Sequence, residues 1–140
     1  MVDKIEKKAR SANMSKIRSK DTKPELKVRR ILHKLGYRFR LHRKDIPGRP
    51  DIVLPKHKTV VFVNGCFWHR HDSCREASRP KSNSEYWETK LNRNVERDIR
   101  NHSTLRKDNW KVIVFWECEL ERDTESNTLF VKKRLAENEL

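Results

Sequence analysis

The chain has 140 residues, enough for one domain with its own core, and only 34% of them are hydrophobic. Lys and Arg outnumber Asp and Glu by 34 to 20, and a net charge of +14 on so small a domain points to a polyanion. No helical pattern pairs a basic face with a broad apolar one, which disfavours a membrane surface, and no apolar run could cross a bilayer.

The first twenty residues carry Lys4, Lys7, Lys8, Arg10, Lys16, Arg18 and Lys20 against Asp3 and Glu6. They lack the apolar middle of a secretion signal, so a cytoplasmic protein is expected, in a compartment where disulfides are rare. Residues 1–20 read as a basic arm or a solvated tail, and residues 21–140 as the folded domain. Thr22-Lys23-Pro24-Glu25 is a helix start, with a capping hydroxyl, proline in the first turn and an acid at the capping-box position. Leu26, Val28, Ile31, Leu32 and Leu35 supply the buried face, and Gly36 ends the helix.

Tyr37–Leu41 alternates and predicts a strand with Arg38 and Arg40 on one face. A turn at Asp45–Pro50 leads to a strand over Asp51–Leu54, and Thr59–Val63 is its expected antiparallel partner. A long helix is predicted from Ser82–Ser84 to Asn109, burying Trp87, Leu91, Val95, Ile99 and Leu105. Lys111–Trp116 is a further buried strand, with Trp110 and Trp116 read as core. A last helix uses Leu129, Phe130 and Leu135. Helix, three strands, helix, strand, helix gives an α/β fold: a single compact domain with a mixed central sheet flanked by helices.

The densest chemistry follows the strand at 59–63. Cys66, His71 and Cys74 lie in one loop and Cys118 follows the last strand. Together they form a Cys3His set suited to structural zinc and use all three cysteines of the chain. Cys118 can join only if the 59–63 and 111–116 strands end on the same side, and His69 competes with His71 as the fourth ligand. Trp68, between Phe67 and His69 in a polar loop, is read as exposed. Pro50-Asp51 opening a strand, with Glu25 on a preceding helix, resembles a nuclease layout in which carboxylates hold Mg²⁺ near a phosphate. Asp51 as a turn residue and Glu25 as a capping acid are the structural alternatives. His69 adds a group that titrates near neutral pH, and Asp98 is placed to orient it.

Several segments together resemble the very-short-patch-repair (Vsr) DNA mismatch endonucleases. They are Asn13–Thr22 through Glu25, Pro47-Gly48-Arg49-Pro50-Asp51, Gly65-Cys66-Phe67-Trp68-His69, Asn94-Val95-Glu96-Arg97-Asp98 and Trp116-Glu117-Cys118. The resemblance implies a variant of the PD-(D/E)xK nuclease fold and a bacterial, cytoplasmic, nucleoid-associated enzyme. Its partner would be double-stranded DNA, nicked on one strand beside a T·G mismatch arising from 5-methylcytosine deamination, and a monomer is expected. It assigns Asp51 and the Val63 backbone carbonyl to Mg²⁺, Glu25 to an active-site acid, and His69 with Asp98 to the base and its orienting partner. Cys66, His71, Cys74 and Cys118 fall on structural zinc positions. Phe67, Trp68 and Trp87 fall on the aromatics that enter the base stack. The chain departs from the pattern in three places. Asn64 replaces a second histidine, Phe62 and Asn64 stand where the nuclease consensus has an acid and a lysine, and Cys74 sits one residue further from His71. A restriction-type nuclease cutting intact duplex and a non-catalytic zinc-containing DNA-binding module are the alternative readings.

Overall fold

A computed structural model describes residues 21–69, 71, 74 and 83–137; the basic stretch 1–20 and the polar segment 75–82 lie outside the described residues. Helix α1 spans Lys23–Lys34. Thr22 caps it, its hydroxyl accepting the Glu25 N–H at 3.3 Å, with proline in the first turn. Gly36 takes φ +87°, and Tyr37 N–H returns to Leu32 O at 2.9 Å, closing the helix in a left-handed cap.

The sheet is β1 (Arg40–Leu41), β2 (Ile52–Leu54), β3 (Thr59–Asn64) and β4 (Lys111–Trp116), in that spatial order. The predicted strand at 37–41 is shortened to two residues, paired Arg40↔Val53 and Leu41↔Ile52. Its partner dictates this: β2 runs straight into Pro55, which has no N–H to extend a ladder. The alternation of half-buried Tyr37 and Phe39 with exposed Arg38 and Arg40 nevertheless persists. β2 and β3 pair antiparallel as Ile52↔Val61 and Leu54↔Thr59, whereas β3 and β4 are parallel from Thr59↔Lys111 to Asn64↔Trp116. A parallel neighbour requires a crossover, which α2 (Ser84–Lys107) supplies.

Alternate residues of the strands face opposite layers. Ile52, Leu54, Val61, Val63, Ile113 and Phe115 pack against Val28, Ile31 and Leu32 of α1 and Val131 and Leu135 of α3 (Thr124–Glu137). Val53, Val60 and Phe62 face the other way, onto Ile46 and Leu105 of α2. The central strand β3 is buried along its whole length, which is why it reads as an unbroken apolar run.

Two helix faces differ from the pattern. Ile99 and Leu129 are each 63% exposed. A step of four residues turns about 40° past a full helical turn, so Leu91–Val95–Ile99 walks off the buried side. The inward residues of α2 are Leu91, Asn94 and Leu105, and of α3 Asn127, Val131 and Leu135. Asn127 lies inside because its amide donates to the carbonyls of Leu120 at 3.0 Å and Arg122 at 3.1 Å.

Candidate active site and metal centre

Antiparallel pairing sets Asp51, immediately before β2, against the end of β3, where its Oδ2 accepts the Val63 N–H at 2.7 Å. Both border a cleft of about 840 Å³ that also receives Glu25 from the first turn of α1 and Asn64 from the last residue of β3. Burial pushes the Asp51 carboxyl up to about 6, helped by the neighbouring Glu25 charge and opposed by the Val63 N–H. Glu25 is 1% exposed, and burial raises its carboxyl as well, against the pull of His42 and Arg29. Its Oε1 accepts the Asp21 N–H at 3.3 Å and its Oε2 an Arg29 N–H at 3.1 Å. Glu25 is thus both a part of the helix start and a wall of the cleft. Two acids held above their usual range in one place are what a cation would relieve, so the residues fit a divalent metal.

The same cleft receives His69 and Asp98. His69 Nδ1 and Asp98 Oδ2 are in direct hydrogen-bond contact, which fixes the ring and leaves Nε2 for other work. Asp98 comes from the inward face of α2, one turn past Asn94, whose side chain donates to the Trp68 carbonyl at 3.1 Å. The hydrophobic pattern could not reveal this face, because the residues it turns to the cleft (Asn94, Asp98, Asn101) are polar. Arg49, Arg97 and Glu117 also line the cleft, and sequence reasoning assigns them no role there. Their only signal is proximity to Asp51, Asp98 and Cys118 in the chain.

Because β3 and β4 are parallel and end in register, Cys118 does reach the loop that follows β3. Ligand atoms of Cys66, His71, Cys74 and Cys118 all lie within 4.8 Å of one another. His71 Nδ1 is 3.6 Å from Cys66 Sγ and 3.3 Å from Cys118 Sγ. Those edges match the roughly 3.5 Å expected between sulfur and nitrogen around a tetrahedral ion bound at ~2.0–2.3 Å. His69, the competing fourth ligand, is turned to Asp98 and is not in the group. Trp116 stacks on His71 at 4.2 Å, and Glu117 Oε1 accepts the Cys66 N–H at 2.9 Å. Burial raises the Cys66 and Cys118 thiols, so without a cation they are held as neutral S–H; a bound metal converts such thiols to thiolates.

Beside the cluster, Phe67, Trp68 and Trp87 meet edge to face with ring centroids 5.1–5.7 Å apart. Trp68 is only 8% exposed, which corrects its reading as an exposed loop residue. The start of α2 folds over the loop, so Trp87 and Asn94 enclose it. Phe67 and Trp87 are half-buried, and Tyr86 beside Trp87 is 58% exposed.

A basic α/β domain with a carboxylate-lined cleft, a histidine–aspartate pair and a thiol–imidazole cluster defines a hydrolase of the nuclease type. Similarity to known proteins makes this specific. A model of the family described as DNA mismatch endonuclease Vsr matches residues 2–75. The type II nicking enzyme V.XorIIP of Xanthomonas oryzae pv. oryzae is 50% identical over 120 residues, 86% of this chain and 88% of that protein. V.NmeAIP of Neisseria meningitidis, also a type II nicking enzyme, is 52% identical over 120 residues, 86% and 85% of the two chains. The DNA mismatch endonuclease Vsr of Escherichia coli K12 is 40% identical over 120 residues, 86% and 76% of the two chains. The chain belongs to the Vsr family and is a DNA mismatch endonuclease. Among the described residues no helix is long and apolar enough to cross a membrane.

Proposed function

We propose that this enzyme nicks one strand of duplex DNA beside a T·G mismatch left by 5-methylcytosine deamination, acting as a monomer on a PD-(D/E)xK-type scaffold. The observation that carries the reading is the meeting of Asp51, Glu25 and the His69–Asp98 pair in one cleft, against the Phe67–Trp68–Trp87 cluster. Asp51 and the Val63 carbonyl would hold Mg²⁺, which when bound supplies charge neutralisation at the phosphate. Glu25 keeps a second negative wall on the cleft. His69 takes a proton from the attacking water as the new P–O bond forms, and Asp98 stabilises the imidazolium while the ester P–O bond breaks and its oxygen is reprotonated from solvent. Asn64 cannot carry a proton, so His69 alone does this work. Zn²⁺ on Cys66, His71, Cys74 and Cys118 would be structural. Phe67 and Trp87 present ring edges toward an opened base step, with Trp68 following once the step parts. Residues 1–20 serve as a phosphate-contacting arm and residues 21–140 as the nuclease domain.

The test is to incubate T·G and matched T·A duplexes with and without Mg²⁺ and to resolve both strands. A Mg²⁺-dependent nick on the T strand of the T·G duplex alone is expected. Double-strand cutting of the matched duplex, or binding with no cut, would reject the reading.

A further inference from the structure

The cleft in which the phosphodiester would react is rich in carboxylates. Asp21, Glu25, Asp51, Asp98 and Glu117 line it, and the residue ending β3 there, Asn64, is uncharged. Attack on a phosphate adds negative charge to its non-bridging oxygens, which carboxylates cannot stabilise, and a positive side chain opposite them would add to the neutralisation Mg²⁺ would supply. Among the described residues the permanent cations on the cleft wall are Lys23, Arg49 and Arg97.

Arg49 differs from the other two in how its backbone is held. It lies two residues before Asp51, in a turn where Gly48 has φ +80° and Arg49 itself φ +47°. Arginine resists this left-handed conformation and glycine does not, so the position stores strain. The turn is pinned: Arg49 N–H donates to Ile46 O at 3.0 Å, and a Cβ on Gly48 would stand 3.0 Å from Asn101 Cβ and 3.2 Å from Phe62 Cζ. Its side chain makes no hydrogen bond or ion pair among the described residues, although acids line the same cleft. With its backbone pinned in this turn, the exposed Arg49 side chain offers at the mouth of the cleft a fork of donors that no described residue occupies, which suits it to receive an anion. We propose that Arg49 contacts the scissile phosphate and stabilises its developing charge. This rests on the reading of the cleft as the active centre.

The experiment uses the full, zinc-loaded chain, with single-turnover nicking of a T·G duplex at saturating protein, duplex affinity and melting temperature measured in parallel. Glycine accepts φ +47° without strain, so Arg49→Gly is expected to melt no lower than wild type. Its nicking rate at saturation is expected to fall by about 10²-fold or more, with affinity changed by less than about tenfold. Arg49→Lys should regain part of the rate, and added guanidinium should partly rescue Arg49→Gly. A saturated rate for Arg49→Gly within about threefold of wild type, or a loss lying wholly in affinity, would overturn the proposal. So would a large fall in melting temperature with no rescue of the rate. Asp51→Asn run alongside separates the two levels. Normal nicking by Asp51→Asn refutes the cleft as active centre, whereas an inactive Asp51→Asn beside a normal Arg49→Gly refutes only Arg49.

Discussion

Asp51→Asn should make the Mg²⁺-free protein more stable while destroying its activity. In the fold the Asp51 carboxyl is raised from 3.8 to about 6, chiefly by burial. A folded carboxyl with a raised value binds more protons than the unfolded chain does between those two values. Stability therefore falls as pH rises through that window and stays low above it. The full shift corresponds to about 3 kcal/mol at neutral pH, and water reaching the half-buried group trims this to ~1–3 kcal/mol. Asparagine retains an oxygen to accept the Val63 N–H but carries no charge to bury. At pH 7.5, without added divalent cation, the zinc-loaded variant should melt roughly 3–10 °C above wild type. The gain should shrink from pH 6 to pH 4, as the folded carboxyl takes up its proton and the unfolded chain's preference for the ionised form fades, and should vanish once the unfolded carboxyl is protonated too. Mg²⁺ should raise the melting temperature of wild type and not of the variant, and nicking should be abolished. Melts across pH 4–8, paired with a nicking assay, measure all of this. A variant that melts below wild type at pH 7.5 would refute the argument, because Asp51 would then be anchoring the fold as a carboxylate.

Cys118→Ser should lose metal and melt at a lower temperature together, checked by metal content and calorimetry; full zinc content with normal melting would remove Cys118 from the site. Asp98→Asn should lower nicking by about 10²–10⁴-fold with duplex binding intact, since a neutral amide cannot stabilise the His69 imidazolium; single-turnover rates and gel shifts separate the two effects. Deleting residues 1–19 should weaken duplex binding and flatten its salt dependence, by roughly 0.9 in log–log slope for each phosphate the arm neutralises; an unchanged slope would make the arm a passive tail. Trp68→Ala, which empties an 8%-exposed position, should cost about 3–5 kcal/mol in denaturant melts besides reducing T·G preference. A reduced preference at unchanged stability would show that Trp68 does not pack as described.

Local signals make parts of the fold readable. Thr22, Pro24 and Glu25 announce α1 because capping is satisfied within one turn. Thr59–Val63 announces β3 because both faces of this interior strand are buried. Lys111–Trp116 announces the edge strand β4 because Ile113 and Phe115 are buried while Val112 and Val114 pack partly against the other layer. Where a helix faces a polar cleft the same logic fails. Asn94, Asp98 and Asn101 carry no hydrophobic signal, so a register of α2 drawn through Val95 and Ile99 puts Ile99 on the wrong side. Trp68 misleads for the converse reason: its sequence neighbours are polar, but the chain that covers it is Trp87 and Asn94, about twenty residues away. Arg49 stands inside a recognisable motif with no evident role of its own, because the property that sets it apart is a backbone angle.

The two candidate metal sites share a single piece of chain. Val63 gives its N–H to Asp51, Cys66 gives its N–H to Glu117, and His69 N–H returns to Gly65 O between them. Glu117 in turn lines the cleft that holds Asp51 while neighbouring Cys118 of the cluster. His69 thus hangs from a loop tied at Cys66 and His71, and its Nδ1 reaches Asp98 only while that loop keeps its shape. The thiol–imidazole cluster and the His69–Asp98 pair are therefore held by one loop. β2–β3 pairing sets Asp51 on the cleft and the loop after β3 sets His69 there, so the two functional side chains are positioned by the same end of β3.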